Sequence, residues 1–372
     1  MMARPVVLHV TAVEFTASRL LRPQLSYLAG IGYDVRLACA PDGAQFSDDL
    51  RAFRPVPLAF PRSNDPLAMI NAAVELLRQV RRMRPALVHF HSPAAALPGR
   101  AALALRSRRL RVVYTVHGFM QTSDSPSRRD RMLDRGERLL SRCTDALLFQ
   151  SAEDYEHARA THYRGRLVNL GNGVSDDWFG MRRRRPTAGR FHAVFVGRLT
   201  REKGIGELIA AAQCLPDVRW TIVGDSLPSD RDPARADLAR FAAESNGRVR
   251  WIGMVPPAEV RSHLADADLL VLPSWREGMP RSVIEGMAAG LPVVACDVRG
   301  CRELVEPGVN GWLVPAHDAA ALARAIADAA ALPRDALAAM GSAGRMKAWE
   351  QHREQVVFER ITRLYQQLGV AP

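Results

Sequence analysis

Two carboxylates eight positions apart, Glu277 and Glu285, are the clearest chemical signal in this chain. They lie in Ser274-Trp-Arg-Glu-Gly-Met-Pro-Arg-Ser-Val-Ile-Glu-Gly-Met-Ala-Ala-Gly290. An isolated pair at this spacing is most often two solvated surface acids, but the flanks argue for more. Asp268-Leu-Leu-Val-Leu272 and Pro292-Val-Val-Ala-Cys296 are apolar runs without polar alternation, the pattern of strands buried on both faces. Pro280 suits the first turn of a helix and Gly290 its left-handed close. Glu277 then falls in a loop, and Glu285 about a turn and a half into a short helix. The amides of Gly278, Met279 and the residues after Pro280 form a helix N-terminus, with partial positive charge and unpaired donors. A diphosphate suits such a place. Carboxylates beside an anion make sense where they accept hydrogen bonds from hydroxyls of the same ligand, as on a ribose or a hexose.

Cations stand on a second loop, Gly197-Arg-Leu-Thr-Arg-Glu-Lys-Gly204. Arg198 offers a planar fork to phosphate oxygens and Lys203 a point charge. Lys203 is one of two lysines in an arginine-rich chain, so a general preference for arginine does not account for it. A third candidate is His117, in Tyr114-Thr-Val-His-Gly-Phe119 at the end of an apolar run. His89 and His91 share one face of another such run. Two ligands without a neighbouring Asp, Glu or Cys make a poor metal site, so no metal is expected, and a rim or packing role is.

The elements that must position these groups follow from the hydrophobic pattern. A chain of 372 residues with 48% hydrophobic content is long enough for two packed domains. No apolar run is long enough to span a bilayer. Pro5-Val-Val-Leu-His-Val10 starts a strand so early that no secretory leader is expected. Five scattered cysteines read as free thiols, with Cys296–Cys301 the minor alternative. A strand at Val6–Val10, a loop over 11–19, a helix at Leu20–Gly30 and a strand at Tyr33–Ala40 begin an α/β pattern. Pro66–Met83 reads as an amphipathic helix with Leu67, Ile70, Val74 and Leu77 at helical spacing, and Ser127–Cys143 as a basic helix. Asp176–Gly189, with Arg182-Arg-Arg-Arg185, reads as a linker, and the pattern restarts at Phe191. Four consecutive arginines without an aromatic-basic surface argue against nucleic acid. The last stretch, with Val357, Ile361, Leu364 and Leu368 at 4-3-4 spacing, is an amphipathic helix. The net charge of +12 is uneven: residues 1–186 hold 29 arginines against 17 carboxylates, whereas the remainder balances at 22 of each.

Glu277-Gly-Met-Pro-Arg-Ser-Val-Ile-Glu285 resembles the E-x7-E signature of the retaining nucleotide-sugar glycosyltransferases of family 4, which have the GT-B fold. Gly197-Arg198-Leu199 with Glu202-Lys203-Gly204 resembles that family's diphosphate loop, and Tyr114–Phe119 its histidine motif. The resemblance covers the second half strongly and the first half more thinly. It lacks the glycine pair that many relatives carry in the first loop, and Ser175 replaces the acid of the usual N-G-V-D. It looks most like the branch that builds bacterial capsule, exopolysaccharide and O-antigen. The implied architecture is α/β, two Rossmann-like domains facing across a cleft: an acceptor domain over 1–178, a nucleotide-sugar domain over 187–350, and a helix over 351–372 crossing back to the first domain. In the implied site Glu285 holds the ribose, Glu277 with the amides of Gly278, Met279 and Pro280's successors holds the sugar, and Gly253 and Met254 lie by the base. Arg198 and Lys203 meet the leaving diphosphate, and His117 lies next to the transferring sugar. The implied reaction is metal-independent hexosyl transfer, without a cofactor, from a UDP-sugar to a polyprenyl-diphosphate-linked glycan. The basic first half would touch the anionic cytoplasmic face of the inner membrane peripherally. A nucleotide-sugar 2-epimerase on the same fold and a non-enzymatic basic polymer-binding protein are the rival readings.

Overall fold

Short apolar runs become parallel strands, and the amphipathic runs between them become the helices that cover both sheet faces. The structure, a computed structural model, describes residues 4–43, 45–60, 65–107, 109–118, 128–181, 189–226 and 234–372. The expectations for Arg108, Phe119 and Arg182–Arg185 fall outside the described residues. The chain divides into two units: Met1–Gly171 with Val357–Pro372, and Asn172–Val356.

In the first unit β1 (Val6–Val13), β2 (Asp34–Ala40), β3 (Val56–Pro57), β4 (Leu87–Phe90), β5 (Arg111–Val116), β6 (Ala146–Phe149) and β7 (Arg166–Asn169) pair in the order β3-β2-β1-β4-β5-β6-β7. Every pairing is parallel. Its helices are α1 (Glu14–Thr16), α2 (Arg22–Gly30), α3 (Pro66–Met83), α4 (Pro93–Ala102), α5 (Arg128–Ser141) and α6 (Ala152–Ala160). Alternate strand residues feed two cores. Val7, Leu87, Val113 and Leu148 pack on the side of α2, whereas Leu8, Val88, Val112 and Leu147 pack with Leu76 of α3 and Ala95 and Ala96 of α4.

The second unit repeats the scheme. Strands β8 (His192–Val196), β9 (Arg219–Val223), β10 (Val249–Gly253), β11 (Leu269–Leu272), β12 (Val293–Cys296) and β13 (Gly311–Val314) form a parallel sheet in the order β10-β9-β8-β11-β12-β13. Helices α7 (Ile205–Cys214), α8 (Arg235–Glu244), α9 (Pro257–Ala265), α10 (Arg281–Ala288), α11 (Cys301–Leu304), α12 (Ala319–Ala331) and α13 (Arg334–Gln351) cover it. The last helix, α14 (Glu354–Gln367), returns the chain to the first unit. There Val357, Ile361, Leu364 and Tyr365 are buried in the α2-side core. Tyr33 Oη donates to Val370 O at 2.8 Å and Arg111 Nε to Leu368 O at 2.9 Å, which fixes the tail. In each sheet the strand order reverses next to the first strand, between β1 and β4 and between β8 and β11. Ligands of open parallel sheets bind at the carboxyl ends of such strands.

Three local expectations differ from the structure. The expected loop over 11–19 is strand to Val13 and helical from Glu14, through one π turn over Ala17–Leu21 into α2. The Glu14 carboxylate accepts from the amides of Asp42 at 3.0 Å and Ser47 at 2.6 Å, so it ties the start of α1 to the loop after β2. Trp178 and Phe179, read as linker, are buried in the second unit's core. Helix α3 has the expected span, but Leu67, Ile70 and Val74 point away from the core; Ala72 and Leu76 are the buried positions.

Candidate active site

The loops at the switch point of the second unit are held together by glycines. Gly204 closes the β8–α7 loop in a left-handed conformation, and a Cβ there would lie 2.0 Å from Pro273 O at the end of β11. Gly300, also left-handed, packs its Cα against the Glu277 loop; a Cβ would lie 2.0 Å from Gly278 O. These close approaches, open only to glycine, bring the cationic loop and the carboxylate loop into register.

Within that frame Lys203 Nζ donates to Glu277 Oε1 at 2.6 Å. Both side chains are largely buried, 18% and 10% exposed, so the pair is little screened. Arg198 is on the same loop, 3.6 Å from Glu202. Glu202 also pairs with Arg276 at 3.2 Å and accepts the Trp275 amide on its backbone carbonyl at 2.9 Å. Arg299, almost fully buried, donates through Nε to the Glu277 carbonyl at 3.2 Å. Pro280 is the N-cap of α10, Met279 is buried, and Gly290 has the left-handed φ that ends the helix. The amides of Gly278, Met279, Arg281 and Ser282 donate to no acceptor among the described residues. This leaves a set of unpaired donors beside Lys203.

Glu285 is one and a half turns along α10, with only 14% of its side chain exposed. Arg281 reaches it at 3.9 Å and pairs more closely with Glu354 at 3.2 Å. Burial pushes the Glu285 carboxyl above its usual range, and the nearby Glu354 adds to this while Arg281 opposes it. Gly253 ends β10 with a left-handed φ, its carbonyl accepting the Gly224 amide at 2.8 Å, and Met254 after it is exposed. Sequence reasoning missed Arg281, Arg299 and Glu354 as parts of this constellation. Arg281 and Glu354 are separated by 73 positions, and no local signal joins them.

In the first unit His117 follows β5, with Gly118 after it at a φ of 141°. His117 Nε2 is buried without a hydrogen-bond partner among the described residues. Burial lowers its pKa to about 4, opposed by a hydrogen bond with Gln150. The rings of His117 and His91 lie 6.0 Å apart. His91 shares a 2.9 Å hydrogen bond with His9, which sequence reasoning did not place here, and His89 bonds Tyr365 Oη at 2.6 Å and Thr115 Oγ1 at 2.7 Å. Ring nitrogens of His9, His89 and His91 fall within 4.8 Å of one another. Both nitrogens of His89 are committed in a network that links β4, β5 and α14, and the His9–His91 bond ties β1 to the end of β4, while His9 Nε2 and His91 Nδ1 are buried without a partner among the described residues.

That network makes the first unit sensitive to acid. Burial lowers His9 to about 3 and holds His89 and His91 well below 6.5. Below about pH 6.5 the unfolded chain binds protons that the folded one refuses, so stability present at neutral pH is lost as pH falls from about 6.5 toward 4. The loss should approach about 1.4 kcal/mol per pH unit for each such histidine. Thermal midpoints followed by circular dichroism should therefore be nearly level between pH 7.5 and about 6.5 and drop steadily from there to pH 5. A flat profile would contradict the burial of neutral imidazoles.

Comparison with known proteins adds the following. A family profile described as Glycosyl transferases group 1 matches residues 190–331, and one described as Glycosyltransferase Family 4 matches residues 17–178. The putative glycosyltransferase EpsD of Bacillus subtilis is 31% identical over 257 residues, 64% of this chain and 66% of its own. The putative colanic acid biosynthesis glycosyltransferase WcaL of Escherichia coli is 34% identical over 206 residues, 53% of this chain and 50% of its own. Glycogen synthase of Mycobacterium tuberculosis is 30% identical over 286 residues, 73% and 68% respectively. The chain spans 39% to 66% of the length of the first three curated relatives. Among solved structures, sucrose-phosphate synthase from Thermosynechococcus elongatus superposes with a TM-score of 0.82 at 22% identity, covering 98% of this chain and all of that one. HepE of Anabaena, in complex with UDP and glucose, gives 0.76 at 19% identity, with 98% and 100% covered. The two parallel sheets and the returning helix are those of the GT-B fold.

Proposed function

We propose, since this chain belongs to the family-4, group 1 glycosyltransferases, that it transfers a hexosyl group from a UDP-sugar to a glycan carried on a polyprenyl diphosphate, with retention of configuration, in the synthesis of a bacterial surface polysaccharide. The observation that carries this reading is the Lys203–Glu277 contact beside the unpaired amides of Gly278, Met279 and the start of α10. One small region thus offers a cation, a carboxylate and a set of backbone donors. The colanic acid relative supports a polysaccharide acceptor, and the UDP and glucose held by HepE support the donor.

In this mechanism the diphosphate takes Lys203 Nζ away from Glu277 and lies against the helix amides and Arg198. Glu277, released, accepts a hydrogen bond from a hydroxyl of the donor sugar. As the glycosidic bond to the diphosphate breaks, negative charge grows on the bridging oxygen, and the helix amides, Arg198 and Lys203, already drawn to the diphosphate on binding, stabilise it. The leaving diphosphate takes the proton of the acceptor hydroxyl, so no side-chain base is required. Charge is met by Arg198 and Lys203, and the reading assigns no resident metal. His117, held neutral, donates to or accepts from the sugar without repelling the cations. Gly253 and Met254 flank the base. The acceptor belongs to the first unit, whose basic surplus faces an anionic membrane on the cytoplasmic side.

Glu285 is assigned the ribose hydroxyls. Glu285→Ala should weaken UDP binding by about 1.5–3 kcal/mol, the range for hydrogen bonds to a charged partner. Calorimetry on the folded variant is the measurement, and unchanged affinity would remove Glu285 from the donor site.

A further inference from the structure

The outer face of α3 is divided along its length. Leu67, Ile70 and Val74, at i, i+3 and i+7, are 72%, 57% and 40% exposed. Arg78, Arg81 and Arg82 continue the same face toward the C-terminal end. Arg78 pairs with Glu75 at 3.3 Å, while Arg81 and Arg82 have no carboxylate partner among the described residues. Helix α5 shows the same composition: Met132 and Leu139 are 65% and 60% exposed, among Arg135, Arg138 and, just past the helix, Arg142, which also lack a carboxylate partner among the described residues. Both helices pack against α4, so the two mixed faces belong to neighbouring helices of the first unit.

We propose that the two faces form a membrane-seating surface, in which Leu67, Ile70 and Val74 of α3 enter the acyl boundary of an anionic bilayer while the arginines of α3 and α5 meet its headgroups. It rests on the membrane contact read above and gives that contact a place and a second driving force. Charge alone would leave the aliphatic turns in water. An interfacial helix combines apolar burial with attraction to anionic lipid, and this face has both. Charge also selects the occupant. A second copy docking isologously would bring together two faces of the same positive charge. Single-stranded nucleic acid would require aromatic platforms, where this face offers aliphatic side chains.

The test uses the full chain and flotation with vesicles of phosphatidylcholine alone or with a quarter phosphatidylglycerol. The parent should bind the anionic vesicles and keep part of that binding in high salt. Leu67→Ser, Ile70→Ser and Val74→Ser combined should lower partitioning by roughly tenfold or more and make the remainder salt-labile. Arg78→Gln, Arg81→Gln and Arg82→Gln combined should lower it at low salt by roughly fivefold for each arginine. An environment-sensitive dye on Ile70→Cys, in a Cys214→Ser background, should shift to the blue with anionic vesicles. The same dye on the exposed Cys214 of the parent should not. Binding that is indifferent to the triple serine change, or a dye at position 70 that stays in water, overturns the proposal. UDP affinity measured on the same preparations separates the two readings. Normal UDP binding without vesicle binding defeats the membrane seat and leaves the transferase standing, whereas loss of UDP binding marks a damaged fold.

Discussion

Turnover of Lys203→Ala is expected to fall by roughly 10²-fold or more, while affinity for the uncharged nucleoside uridine stays within about twofold. The ammonium lies 2.6 Å from Glu277 in a place where few waters reach either group. In the proposed mechanism, removing it deletes a positive charge from the position where the leaving diphosphate develops its own negative charge. It also leaves the Glu277 carboxylate without its cation, which repels the donor further. UDP binding should weaken alongside turnover, and Arg198→Ala should follow the same pattern. Lys203→Arg should restore only part of the rate, because a planar fork cannot occupy the position of a point charge between two loops. Equal losses for uridine and UDP would show that the substitution merely disturbs the loop that Gly204 closes.

The largest effect on stability is expected at Arg100, outside the proposed chemistry. Its side chain is fully buried in α4, donates to Ala96 O at 3.1 Å, lies 4.5 Å from the centre of the Tyr114 ring, and pairs with Glu137 of α5. Truncating one partner of a buried pair leaves the other charge desolvated and unpaired, at a cost of about 3–5 kcal/mol. Arg100→Ala should therefore move the urea midpoint sharply downward with little change in slope. Arg100→Met combined with Glu137→Leu should recover much of the loss, since an apolar pair of similar volume avoids desolvating either charge. A single-variant loss below about 1 kcal/mol would mean that water reaches the pair. The same contact holds α5 to α4, and with it the relative placement of the two mixed faces.

Much of the candidate site was legible because its signals are local. Glu277, Pro280, Glu285 and Gly290 lie within one loop and helix, so spacing alone places them. The strands were legible because parallel strands covered on both faces need uninterrupted apolar runs, and β11 and β12 are buried at every residue. The 4-3 spacing of Val357, Ile361 and Leu364 likewise marks the buried stripe of α14.

Other features were decided by residues far apart in the chain. Glu354 reaches Arg281, and His9 joins His91, only because the sheets bring distant segments together. Glu14 likewise finds the amides of Asp42 and Ser47, well beyond its own stretch of chain. Helix α3 gives the sharpest contrast. Its sequence determined a helix of the right length with Leu67, Ile70 and Val74 on one stripe, since periodicity is set by 3.6 residues per turn. Which stripe faces the sheet was settled only by packing, where Ala72 and Leu76 fit closely against β4 and α4. A helical period specifies which side chains share a face, but what covers that face depends on the surfaces the rest of the fold presents to it.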